Sequence, residues 1–89
     1  MNDVVGNPVQ LGDYIIQFIK RKRGRINVYY GRVIAIRLND SNDVTLGIVA
    51  AERYKDGSVY RESYKKSVSG YSTFIIKNDI PASIKELLR

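Results

Sequence analysis

Cysteine and histidine are both absent from the 89 residues. Without cysteine there are no disulfide staples, no thiolate zinc sites and no thiol nucleophile; without histidine the commonest general base and transition-metal ligand are gone. Long apolar runs are missing too. The densest, residues 15–19, is interrupted by Gln17 and falls far short of the roughly 18 residues of a membrane span. The opening residues Met1-Asn2-Asp3-Val4-Val5-Gly6-Asn7-Pro8 have no basic start, no signal-length apolar stretch and no small-residue cleavage site. These absences predict a soluble, cytoplasmic protein with no membrane partner. No Walker loop, nucleophile elbow or dinucleotide fingerprint occurs, so no cofactor and no enzymatic activity are expected.

With two prolines and 44% apolar residues the chain is too hydrophobic for wholesale disorder. Its length permits one core, since a domain of this size buries only about 60% of its extended-chain surface. Charge is the outstanding compositional bias: 15 Lys and Arg against 9 Asp and Glu give +6. Both halves of the chain are basic, but only the first concentrates its charge, in Lys20-Arg21-Lys22-Arg23-Gly24-Arg25.

Apolar residues come in short bursts separated by polar or glycine-containing breaks, the spacing of a small all-β domain. The bursts at residues 13–20 and 26–38 are rich in Ile, Val, Tyr and Phe, which suit a pleated surface, and the basic run between them reads as the tip of a long hairpin. A third strand is predicted over 44–54, with Val44, Leu46, Ile48 and Ala50 on one face and Thr45, Gly47, Val49 and Ala51 on the other. Asp56-Gly57 predicts a type I′ turn into a fourth strand at 58–64, and a fifth follows at 71–77. Ile80, Ile84, Leu87 and Leu88 then take up helical spacing, with Asp79 or Ser83 as candidate caps. Residues 1–10 show neither period and read as an N-terminal arm, leaving 11–89 as the domain.

Five short antiparallel strands and a C-terminal helical turn match a small closed or nearly closed barrel. Gly12-Asp13-Tyr14-Ile15, followed by Gly31-Arg32-Val33-Ile34-Ala35-Ile36, resembles the SH3-like barrels of the KOW and Tudor kind, which open with Gly-Asp-x-Val and continue with Gly-x-Val-x-x-Ile. Gly12, Asp13 and Ile15 match the first element, and Gly31, Val33 and Ile36 the second. The chain departs from the KOW pattern in its longer insertion at 20–28, which holds one glycine, Gly24. The resemblance covers residues 11–77 and implies a five-stranded SH3-like barrel that binds nucleic acid or protein without catalysis.

Five cations in six positions at an extended tip repel one another, and the repulsion is relieved when phosphates or a carboxylate-rich surface lie between them. Lys20, Arg21, Lys22, Arg23 and Arg25 are therefore the first candidate contacts. Tyr29 and Tyr30 are candidates for base stacking on the returning strand; because neighbours on a strand point to opposite faces, one of the two is expected to be exposed. Tyr60, Tyr64 and Tyr71 are further aromatics in reach. A second basic group comprises Arg53, Lys55, Arg61, Lys65 and Lys66, which either joins the tip in one groove or forms a separate solvated patch. Asp40, Asp43, Asp56 and Asp79 fall where short carboxylates bond local backbone rather than metal. A nucleic-acid-binding domain of low sequence specificity, for DNA or RNA, is the leading expectation. The alternative is a small protein-interaction module or inhibitor, such as a virus-encoded accessory factor, docking on an acidic partner surface; a solvated tip that merely keeps a sheet edge in solution is the bland reading.

Overall fold

A computed structural model describes residues 2–38, 40, 43–54, 56–62, 65–69 and 73–89, with backbone only at 69. The chain is mostly β: β1 (Tyr14–Lys20), β2 (Ile26–Leu38), β3 (Val44–Arg53), β4 (Val59–Arg61), β5 (Lys66–Ser69) and β6 (Phe74–Ile76), followed by the short helix α1 (Ala82–Leu87). The strands form one antiparallel sheet in the order β4-β3-β2-β1-β6, with β5 also paired to β3.

This corrects the expected five-stranded barrel in two respects. The outer edge of β3 is shared, β4 pairing with its end (Ala51, Glu52 and Arg53) and β5 with its start (Thr45 to Ile48), so the strands among the described residues number six. Among the described residues no ladder joins β5 to β6, and the sheet is open. Among the described residues the predicted fourth strand (58–64) reaches Arg61 and the fifth (71–77) begins at Phe74; residues 63, 64, 71 and 72 lie outside them.

Period-2 alternation loads both faces. Ile15, Val33, Leu46, Ile48, Ala50, Val68 and Phe74 fill the inner face. On the outer face, Val49 and Ala51 meet Ile80, Ile84 and Leu88, with Tyr14, Tyr30, Ile34 and Val59 packed around them. A register shift between Val33 and Ala35 marks a bulge in β2, which bends the sheet. The helix holds its place partly through Arg32, whose Nε donates to the Leu88 carbonyl at 2.7 Å. Neither Asp79 nor Ser83 caps α1; Pro81 occupies that position with no side-chain hydrogen bond, and Asp79 instead pairs with Lys77 at 3.1 Å.

The β3–β4 connection also departs from the type I′ expectation. Tyr54 N donates to Ser58 O at 2.8 Å and Gly57 N to Tyr54 O at 3.0 Å, closing a three-residue loop. Gly57, at φ +89, supplies the left-handed residue of a bulged hairpin turn. The Asp56 carboxylate accepts from Ser58 N at 2.9 Å, the local backbone role expected for it.

The N-terminal segment is folded onto the sheet. Val4 N donates to Phe74 O at 3.1 Å, and Val9 enters the inner core. Asp3 is 6% exposed. Its carboxylate accepts from Ile76 N at 2.9 Å, Asn7 N at 2.8 Å and Val5 N at 3.1 Å, so one side chain serves both its own turn and the free edge of β6. These bonds, led by that from Ile76, hold the Asp3 carboxyl below its ordinary value of 3.8. A depressed carboxyl stabilises the fold above that ordinary value, and the contribution disappears as pH falls through the folded value. Asp3→Ala is accordingly expected to lower the melting temperature by about 5 °C or more at pH 7. It should also flatten the acid limb of the melting-temperature profile; a variant that keeps the wild-type acid limb would remove Asp3 from this role.

Candidate nucleic-acid interface

The basic run forms the predicted tip. Lys20 pairs with Ile26 at the end of the β1–β2 ladder, and Arg21 N donates to Arg25 O at 2.6 Å across the base of the loop. Lys22–Gly24 make a single 3-10 turn between them. Arg23 (φ +64) and Gly24 (φ +73) are both left-handed. Glycine adopts that conformation freely, whereas for arginine it costs of order 1 kcal/mol or more.

Lys20, Arg21, Lys22, Arg23 and Arg25 are all exposed. Arg21, Lys22, Arg23 and Arg25, with Asn27, line an open concavity of about 540 Å³. Among the described residues the ion pairs are Lys77–Asp79 and Arg89–Glu86, both remote from the tip in sequence, and none reaches it.

Arg21 and Lys66 converge on one ring. Arg21 Nη2 donates to the Tyr29 hydroxyl at 3.3 Å, and Lys66 Nζ lies 3.3 Å from the centroid of the same ring. Tyr29 is only 3% exposed, so it holds the two cations in place but has no face to offer a base. Glu52 is its partner across the β2–β3 ladder. That carboxylate is engaged elsewhere, accepting from Asn27 Nδ2 at 3.0 Å and from the Tyr60 hydroxyl at 2.7 Å.

Tyr30 is half-buried in the outer core. The expectation that Tyr29 or Tyr30 would be exposed is thus overturned, because α1 covers the face that an uncovered sheet would leave to solvent. The second basic group divides. Lys66 joins the tip through Tyr29, and Arg53 lines a second concavity of about 390 Å³ together with Arg25, Ile26, Asn27, Val28, Glu52 and Tyr54. Arg61 and Lys65 are exposed and line neither concavity. Lys55, Tyr64 and Tyr71 lie outside the described residues.

Five lining residues were not among the expected contacts: Ile26, Asn27, Val28, Glu52 and Tyr54. Tyr54 stacks on Tyr60 with ring centroids 4.5 Å apart and planes 20° from parallel. The Tyr54 side chain, then Glu52, raises the Tyr60 phenol well above the ordinary phenol range, so it stays neutral and donates to the carboxylate. The signal for this pair lay in the turn. Tyr54 and Tyr60 flank Asp56-Gly57 at positions of the same parity, which a hairpin brings to one face as diagonal neighbours. No protein-family model, curated protein or solved structure matches the chain. No helix among the described residues is long and apolar enough to cross a membrane.

Proposed function

We propose that this chain is a non-catalytic nucleic-acid-binding domain of SH3-like barrel type, in which the tip at residues 20–25 contacts phosphates with low sequence specificity. The observation that carries the reading is the concavity of about 540 Å³ whose lining is four tip cations and an asparagine, with no ion pair to a carboxylate among the described residues. Arginine can grip a phosphate with two parallel donors, and backbone contacts of this sort position a strand without reading its bases. The SH3-like part of this reading draws on the strand order rather than on closure of the sheet: the last strand, β6, returns to pair with β1 while the β4 and β5 segments together follow the outer edge of β3.

Salt dependence tests the proposal. If all five tip charges meet phosphates, the logarithm of affinity for a fluorescent oligonucleotide should fall with the logarithm of salt at a slope of about −4. A slope near zero would overturn it.

One observation favours a second reading. Phe18 and Ile26, at 40% and 63% exposure, lie beside the tip on the outer face. An apolar patch next to cations also suits an acidic protein partner. Association with a protein that survives nuclease treatment and high salt would favour that reading.

A further inference from the structure

The tip explains attraction to a polyanion but does not distinguish one strand from two. Tyr54 does. We propose that its ring is a base-stacking platform and that the ligand is single-stranded nucleic acid, an inference that rests on the reading above.

Tyr54 is 51% exposed although one side of its ring is covered by Tyr60. The covering ring is fixed from below, since the Tyr60 hydroxyl donates to Glu52, which also accepts from Asn27. The Tyr54 backbone is fixed by the hydrogen bonds that close the turn to Ser58. A flat aromatic surface is therefore held in position before any ligand arrives, so little ordering cost falls on binding.

The platform lies on the path of the tip. Its concavity shares Arg25 and Asn27 with that of the tip, so the two depressions adjoin there, with Arg23 on the tip side and Arg53 and Tyr54 on the other. A backbone lying along the arginines brings a base within reach of the ring. In a duplex each base is already stacked on its neighbours and turns only its edge to a groove. A single strand has free base faces, and stacking on an aromatic ring is tolerant of sequence because every base has one. Glu52 borders the same depression and repels phosphate, which keeps the backbone on the side of Arg25 and Arg53. A ring beside Arg25 and Arg53, adjoining the tip cations, suits a single strand with free base faces better than a duplex.

The test compares the wild-type chain with Tyr54→Ala and Tyr54→Phe on three probes: a single-stranded oligothymidylate, a blunt duplex of the same length, and heparin, a polyanion without bases. The wild type should bind the single strand more tightly than the duplex. Tyr54→Ala should lose about fivefold or more in single-strand affinity, the lower end of what one stacked base contributes. Its affinity for duplex and heparin should stay within about twofold of wild type, and Tyr54→Phe should retain single-strand binding. The chain contains no tryptophan but seven tyrosines, so stacking on Tyr54 is read from the difference: quenching of tyrosine emission by the single strand should be weaker in Tyr54→Ala than in the wild type. Melting curves of both variants exclude misfolding as the cause of a loss. Duplex binding as tight as single-strand binding overturns the inference, as does Tyr54→Ala with unchanged single-strand affinity. Either result with heparin still bound through the tip leaves the phosphate-contact reading standing, whereas a wild type that binds none of the three probes removes both.

Discussion

Replacing Arg21, Lys22, Arg23 and Arg25 together by Ser is expected to weaken oligonucleotide binding about 100-fold or more at low salt, and to reduce the salt slope from about −4 to about −1. Each phosphate contact displaces a condensed counterion, so removing four of the five tip charges removes most of the entropy gained when ions are released. The loss should diminish at high salt, where the wild type has forfeited the same contribution. The four side chains are exposed and form no ion pair among the described residues, so folding should be little affected. Arg21 is the exception in part, because its bond to the Tyr29 hydroxyl is also removed. The single change Arg23→Gly supplies a control of opposite sign for stability. It relieves a left-handed arginine, φ +64, and should keep or raise the melting temperature while lowering the slope by about one. If the quadruple variant binds as the wild type does, the tip is not the interface.

Phe74→Ala is expected to reduce unfolding free energy by about 3 to 5 kcal/mol. Phe74 is 1% exposed and is the largest of the fully buried side chains. It sits in the inner face on the short strand β6, where no neighbouring aromatic among the core residues can refill the space. A domain of this size has a total stability of roughly 4 to 13 kcal/mol, so the variant should be partly unfolded at 37 °C or close to it. Urea denaturation followed by circular dichroism would measure the change as a lower midpoint at unchanged slope. A loss below about 1.5 kcal/mol would mean that the inner face collapses around the cavity and is less rigid than its packing indicates.

The β1–β2 hairpin was legible because two independent signals agree there. Strands with β-branched and aromatic residues flank a polar, glycine-containing break, and like charges cannot be stacked in a core. The division of the β3 edge between β4 and β5 was not legible, because alternation says which face a residue takes but not how many partners share an edge. Tyr29 and Tyr30 were misjudged for a related reason. Pattern assigns them to opposite faces, correctly, but exposure depends on whether something covers the second face. Ile80, Ile84 and Leu88 announce an apolar helix, yet only the folded chain shows that its apolar side lies over Tyr30. Asp3 escaped notice because a carboxylate satisfied by backbone amides from residues as distant as Ile76 leaves no local periodicity. At the interface the cations were legible from their density alone, whereas the Tyr54 and Tyr60 platform required the turn geometry.

Asp3 bonded to Ile76 and Val4 bonded to Phe74 give the first residues of the chain the role of a cap on the sheet's last strand. Fusion partners or deletions that pull this segment away would leave β6 ready to recruit a strand from a second molecule, and the outcome would be chains exchanging segments or stacking into fibres rather than simple loss of fold. Tags for purification or labelling are therefore better attached after Arg89.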